Sequence, residues 1–421
     1  VDGDQPCADQ IPADQIPADR VPADQVRALA YPALVGEPRV GDRVLLNVSA
    51  LERGLGTGGY AFVVALPDRL PPDPPPAGPA GAAGSAGAAG SAGSAGSAGS
   101  ADPGYSGHPT VPQTGHIVKS RYTPLQAMVA SADEQGSPYH EILRDASSID
   151  GMPVVVADLH SALPAILAGM FAPAGVSAPG AGPAGPSAPG TGRTGLSGPA
   201  SAPPFRVAYV MQDGGALPAW FSRTAAGLRS AGWLAGTVST GQSFGGDVEA
   251  VTVHTGLLAA RHVLGADAAI VAQGPGNLGT GTRWGFSGVA AGEAVNAIAV
   301  LGGRPVASLR LSFADARGRH QGISHHSVTA YGQVALAAAD VVVPVLPPPL
   351  GEQIAAAAAP LGSRHRIVPV PVEGLEEALR ACPVPLSTMG RGLDEDLPYF
   401  LAAAAAGRHA ATLRKAAPGT E

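Results

Sequence analysis

Three stretches of the chain place chemically capable side chains directly after apolar, strand-like runs. The first is Ala268-Ala-Ile-Val-Ala-Gln-Gly-Pro-Gly-Asn-Leu-Gly-Thr-Gly-Thr-Arg. Glycines at 274, 276, 279 and 281 let backbone N–H groups come close to an anion, and a helix predicted to open near Gly288 adds a favourable potential. Gln273, Asn277, Thr280, Thr282 and Arg283 offer further polar contacts to the same ligand. The loop matches neither familiar phosphate cradle. No Gly-Lys-Ser/Thr follows it. Gly274, Gly276 and Gly279 satisfy Gly-x-Gly-x-x-Gly, yet the helix begins late and no acidic residue about twenty positions on sits clearly at a strand end. The competing reading is a plain glycine-rich connection.

The second stretch is Arg310-Leu-Ser-Phe-Ala-Asp-Ala-Arg-Gly-Arg-His-Gln-Gly-Ile-Ser-His-His-Ser. His320, His325 and His326 stand near Asp315, Arg317 and Arg319. Imidazoles move protons near neutral pH or ligate metals. Spacings of five and one match no zinc pattern, and adjacent helical residues project about 100° apart. Acid–base work is therefore expected ahead of metal ligation, with the cofactor undetermined and a divalent metal compatible. Ser324 reads as a helix cap.

The third is Ala157-Asp-Leu-His-Ser, in which Asp158 and His160 alternate after a strand. Asp-x-His occurs among the ligands of metal-assisted hydrolases, but Asp158 or Ser161 capping the next helix explains the same residues. Asp158, His160, His320, His325 and His326 are the candidate catalytic groups. Asp213, beside Gly214 and Gly215 after another strand, joins the ligand-binding set. Thr240 and Gln242 follow a further strand, and Glu293 and Asn296 share one face of an otherwise apolar helix.

These loops need a scaffold that brings them to one place. From His116 onward, short Val/Ala/Ile runs alternate with helical stretches. Strands are expected at His116–Lys119, Pro153–Ala157, Val207–Met211, Leu234–Val238, Ala268–Ala272, Pro305–Leu311 and Val341–Val345. An edge strand is expected at Ile367–Val372, because its prolines cannot serve a central ladder. Helices are expected from Thr123, over Ser161–Ala168, Leu217–Ser230, Asp247–Leu264, Gly288–Leu301, His326–Ala339, Leu350–Ala359, Leu375–Cys382 and near Leu397–Lys415. The fold class is α/β: a mainly parallel doubly wound sheet covered on both faces, whose ligands gather at the carboxyl ends of the strands. Short apolar runs at 26–67, bounded by Gly, Pro and Asp, predict a small β-barrel-like module ahead of it.

The remaining segments read as unpacked. Residues 1–25 repeat Ile-Pro-Ala-Asp-Gln, with a proline in each repeat. Residues 71–114 are a Gly/Ala/Ser tract, and 172–204 a Gly/Pro/Ala/Ser insertion within an α/β domain spanning 115–415. Gly (58) and Pro (42) are abundant among the 421 residues, but 45% hydrophobic content excludes a wholly disordered chain. The net charge is -7. Aspartates 2, 4, 9, 14, 19 and 24 carry much of it, so the foldable part is near neutral and nucleic-acid binding is disfavoured. Two cysteines give no disulfide framework. No sequence run is long and apolar enough for a membrane helix or a signal peptide, so the expected compartment is cytoplasmic.

From Val26 onward the chain resembles a bacterial family of unknown function, common among actinobacteria. The matching stretches are Ala30-Tyr-Pro-Ala-Leu-Val, Gly56-Thr-Gly-Gly-Tyr, Arg121-Tyr-Thr-Pro-Leu-Gln, Val156-Ala-Asp-Leu-His-Ser-Ala-Leu-Pro, Gly274-Pro-Gly-Asn-Leu-Gly-Thr-Gly-Thr and Gly322-Ile-Ser-His-His-Ser. The resemblance implies no activity and transfers no catalytic residue. The residues themselves point to an enzyme, of the hydrolase or transferase kind, acting on a small anionic ligand, with a phosphorylated one among the candidates, at the C-terminal edge of the sheet. The alternative is a non-catalytic ligand-sensing or assembly protein. A small molecule is the expected partner, and homo-oligomerisation is left open.

Overall fold

A computed structural model of the chain describes residues 25–52, 59–69, 115–123, 125–172 and 205–414. The expected tail up to residue 24, the Gly/Ala/Ser tract at 71–114 and all of the 172–204 insertion but Ala172 lie outside the described residues. Those described fall into two units, one within 16–110 and the other from 111 onward.

In the first unit, strands β1 (Ala28–Leu29), β2 (Leu45–Asn47) and β3 (Ala61–Ala65) form a sheet in the order β1-β3-β2. β1 is parallel to β3 and β2 antiparallel to it. Two single-turn helices, α1 (Pro32–Val35) and α2 (Ser49–Glu52), complete it. Ala61 and Val63 are buried on one face, the period-2 pattern of a half-covered strand. The module is thus a three-stranded sheet.

The second unit opens with an antiparallel hairpin, β4 (Ile117–Lys119) and β5 (Ala127–Val129). The sequence predicts a helix from Thr123, and the structure corrects this. Ser120 and Tyr122 take positive φ, and Thr123 N–H bonds Ser120 O at 3.2 Å, so the chain reverses before a helix can start. A one-turn helix, α3 (His140–Leu143), leads to the main sheet.

Eight strands build that sheet: β6 (Pro153–Val156), β7 (Val207–Gln212), β8 (Gly236–Ser239), β9 (Val248–Glu249), β10 (Ala268–Gln273), β11 (Arg304–Ser308), β14 (Asp340–Val345) and β15 (Arg366–Pro371). Their order is β15-β14-β11-β6-β10-β7-β8-β9, and every ladder is parallel. β6, β7 and β10 are buried along their whole length, which explains their unbroken apolar runs. β15, with Pro369 and Pro371, lies at an edge as its prolines require. Between β11 and β14, β12 (Leu311–Ser312) and β13 (Gly322–Ile323) pair antiparallel outside the sheet, so the expected strand from Pro305 to Leu311 ends at Ser308.

The connecting helices are α4 (Leu163–Phe171), α5 (Arg223–Ser230), α6 (Val253–His262), α7 (Ala290–Val300), α8 (His325–Thr329), α9 (Leu350–Ala358), α10 (Leu375–Arg380) and α11 (Leu397–Thr412). Three fall well short of the expected bounds, each for a local reason. Ser222 accepts the Ala225 N–H and starts α5 there, instead of at Leu217. Glu249 is held in the edge strand β9 by Lys119, so α6 waits for its Thr252 cap. After α8 the chain makes a π turn, and Asn296 stops it: its side chain accepts from Leu336 and Ala337 N–H and donates to Val334 O.

The connection from β6 to β7 crosses β10, while that from β10 to β11 crosses β6. The two run in opposite directions, and crossovers share one hand, so they use opposite faces of the sheet. The carboxyl ends of the adjacent strands β6 and β10 therefore form a topological switch point, where open α/β sheets bind ligands.

Candidate active site

Three segments meet at that switch point: Asp158 just after β6, the glycine loop after β10, and the histidine segment after β11. Ser324 caps α8 by accepting the His326 N–H at 3.2 Å, and the same Oγ lies 2.7 Å from His320 Nδ1. The cap thereby pulls the single turn Gly318–His320 against the first turn of α8. Adjacent helical residues are expected to diverge, yet the rings of His325 and His326 lie 4.4 Å apart between centroids. His320 is 5.1 Å from His325 and 4.9 Å from His326. One nitrogen from each ring comes within 4.8 Å of the others. His320 and His326 are buried, and His325 is partly exposed.

The His326 ring is held in place from behind. Phe286 stacks on His326 with centroids 3.8 Å apart and planes at 1°. Arg310, buried at the end of β11, donates from Nη1 to His326 Nδ1 at 3.1 Å. Asp158 Oδ2 lies 3.6 Å from the same Nδ1. Desolvation by burial, with the charges of Arg310 and Arg317 adding to it, pushes His320 well below its usual value and favours the neutral ring. The arginines are balanced by Asp315. It accepts from Arg317 at 2.9 Å and lies 3.6 Å from Arg310 and 3.5 Å from Arg391. Although burial opposes it, hydrogen bonds from Arg317 keep this carboxyl well below the usual range.

Gln273, the last residue of β10, links the β6 and β10 loops. Its Nε2 donates to Asp158 O at 2.7 Å and to Asn277 Oδ1. Asp158 Oδ2, Gln273 Oε1 and Asn277 Nδ2 are buried here with no hydrogen bond among the described residues. Buried polar atoms in this condition are uncommon in folded proteins, and water or a ligand can supply the partner.

Beyond Asn277 the glycine loop closes on itself. Gly279 and Phe286 form an antiparallel bridge, and Thr280 N–H bonds Gly285 O at 2.7 Å. The Thr280 and Thr282 hydroxyls lie 3.0 Å apart, and Thr282 also accepts Gly285 N–H. Gly276 and Gly281 take positive φ in this hairpin. The two threonines thus hold the hairpin rather than open a cradle, while Arg283 is exposed at its tip. What the hairpin delivers to the centre is Phe286.

Two residues named from the sequence go elsewhere. His160 is buried with both nitrogens engaged, Nδ1 at 3.0 Å from Tyr209 Oη and Nε2 at 2.7 Å from Ser222 Oγ. Tyr209 Oη donates to Gln273 O at 2.9 Å. This chain braces β7, β10 and the cap of α5, with both ring nitrogens of His160 engaged away from the three-histidine cluster. Asp213 is exposed and accepts the Gln242 N–H at 2.9 Å, tying the β7 and β8 loops together.

Sequence reasoning missed Phe286, Tyr331 and the inward direction of Arg310. Tyr331 Oη donates to Val156 O and Ser308 O, clamping the ends of β6 and β11 beneath the cluster. Arg310 opened the quoted histidine stretch, so its proximity was visible, but nothing local gave its direction.

A family model described as a protein of unknown function, DUF3866, matches residues 27–177 and 194–407. No curated protein and no solved structure matches the chain.

Proposed function

The chain belongs to the DUF3866 family, and from that premise, which carries no activity, we propose that it is an enzyme acting on a small anionic ligand at the switch point. The observation that carries the reading is the set of three buried polar atoms without hydrogen bonds: Asp158 Oδ2, Gln273 Oε1 and Asn277 Nδ2. They lie beside a histidine cluster suited to proton transfer or metal ligation. The first two accept and the third donates, so the ligand must carry at least one donor, a hydroxyl or an amine, as well as an acceptor. Arg310 and Arg317 stand at the site with the carboxylates of Asp158 and Asp315, and Arg283 is exposed on the glycine-loop hairpin; the guanidiniums favour an anion, and a phosphorylated, hydroxylated metabolite fits this description. His325 is the partly exposed member of that cluster, so a ligand reaches the site on its side.

The experiment is a thermal-shift screen of phosphorylated and carboxylated small molecules, with and without divalent metals, followed by turnover assays on the hits. A hit whose turnover falls in the His325→Ala variant, at unchanged melting temperature, supports the enzyme. A second reading, ligand sensing or assembly without turnover, draws on Leu278 and Trp284, large apolar side chains exposed on the glycine-loop hairpin. Binding without turnover across the hits decides for that reading.

A further inference from the structure

We propose that His320, His325 and His326 bind a divalent transition-metal ion, with Asp158 orienting the His326 ring behind them. The inference deepens the reading above by naming the group that does its chemistry. It rests on that reading for the role of the ion, but not for its binding.

The geometry is that of a three-histidine site. Metal–nitrogen bonds of about 2.0–2.1 Å at a tetrahedral angle put two ligand nitrogens about 3.4 Å apart. The three imidazole nitrogens lie within 4.8 Å of one another, so ring rotations that bring them about 1.4 Å closer complete the site. This is the one cluster of three such groups among the described residues. Imidazole is the ligand of choice for zinc and its neighbours, and three protein ligands leave a further position for water or substrate. Oxygen-seeking ions such as magnesium or calcium are not matched by this donor set.

The surroundings supply what a ligating imidazole needs. A ligand nitrogen must carry a lone pair, and the other ring nitrogen then donates its proton to a neighbour. For His320 that neighbour is Ser324 Oγ, 2.7 Å from Nδ1, which leaves Nε2 for the ion. For His326 two partners compete at Nδ1. Arg310 can only donate, and its contact at 3.1 Å puts the ring proton on Nε2. Asp158 can only accept, and its Oδ2 at 3.6 Å makes no hydrogen bond. A shift of about half an ångström makes the Asp158 bond, moves the proton to Nδ1 and frees Nε2 for the ion. Arg310 keeps Asp315 as its counter-charge. Asp158 does not itself belong to the cluster, so its place is behind the ligand. Phe286, stacked on His326, holds the ring plane through this change.

The test uses the full chain, treated with chelator and titrated with cobalt(II), whose visible absorption reports nitrogen ligation in a four- or five-coordinate site. One ion per chain is expected, with the bands lost in both His325→Gln and His320→Gln. Asp158→Asn should keep the stoichiometry and weaken affinity 10- to 100-fold, the usual effect of losing an orienting carboxylate. His325 is the most accessible of the three, so His325→Gln is the variant least exposed to misfolding, and circular dichroism checks it. The absence of bands, or bands unchanged in both histidine variants, overturns the site. Unchanged affinity in Asp158→Asn overturns the orienting role. Cobalt binding without turnover of any anionic compound overturns the enzyme reading and leaves the site standing, whereas turnover indifferent to chelator overturns the catalytic role of the ion and leaves the enzyme reading standing.

Discussion

Asp158 and His326, drawn from opposite halves of the second unit, face each other at 3.6 Å across the carboxyl ends of β6 and β11. The carboxylate is buried and its Oδ2 is not hydrogen-bonded, an arrangement that costs stability. Groups kept at such a cost belong to function more often than to folding. Asp158→Ala should therefore lower turnover of any identified substrate at least about ten-fold. Its melting temperature should equal or exceed that of the parent. Paired activity and thermal-unfolding measurements decide it, and a loss of several degrees would make Asp158 a structural residue.

The helix pair beneath the site gives a second prediction. α4 and α11 cross at Gly169 and Gly407. A Cβ at Gly169 would stand 1.8 Å from Ala404 O, and one at Gly407 1.9 Å from Ile166 O. Backbone lies on both sides, so no side chain can move aside. Gly169→Ala should destabilise by about 3 kcal/mol or more, although alanine is the better helix former. Urea denaturation measures it. A neutral or stabilising result would mean the two helices are farther apart than described.

Much of this framework was legible in the sequence, and the reasons it failed are local. The strands of the parallel sheet announce themselves because burial on both faces demands continuous Val/Ala/Ile runs, and β15 by its prolines. The helix at Thr123 was misjudged because Thr-Pro starts turns as readily as helices, and only the positive φ of Ser120 and Tyr122 decides. The histidine cluster was visible as residue types but not as a cluster. Spacing along a helix separates His325 from His326, and the fold-back of His320 depends on a single Ser324 hydroxyl. His160 looked like the partner of Asp158 because they are two apart. Its burial behind Tyr209 and Ser222 is a tertiary fact that no local pattern carries.

That burial gives His160 a pH signature. Desolvation lowers it to about 4, from 6.5 in an exposed chain. Its folded form thus resists protonation while the unfolded form accepts it. Between pH 6.5 and 4 the unfolded state binds more protons, so stability falls as pH falls, by about 3 kcal/mol once both values are passed. His160→Gln removes the proton site while keeping polar atoms for Tyr209 or Ser222. Chemical denaturation at pH 7 and pH 4 should show the parent losing about 3 kcal/mol more than the variant over that interval. Parallel losses in the two proteins would show that His160 does not titrate in folding.

Asp315 has the opposite sign. It is buried among Arg310, Arg317 and Arg391, and it accepts the backbone and side chain of Arg317. Hydrogen bonds from Arg317 and its charge hold the carboxyl well below the usual range against the effect of burial. A carboxylate lowered in the folded state contributes stability that is complete above the unfolded value and disappears as pH falls through the folded one. Asp315→Asn removes that charge at every pH and leaves Arg310 buried without its counter-ion. Breaking a buried ion pair from one side costs about 3–5 kcal/mol, so the variant should be less stable by about that amount at pH 7. The difference should shrink below pH 4, where the unfolded carboxyl takes up a proton that the folded one still refuses. Denaturation curves of both proteins from pH 7 down to pH 3 measure it. Arg310 also contacts His326, so the same variant should weaken cobalt binding by freeing Arg310 to compete for Nδ1. Unchanged stability at pH 7 would mean that solvent already screens the three arginines, and the electrostatic account of the histidine cluster would fail with it.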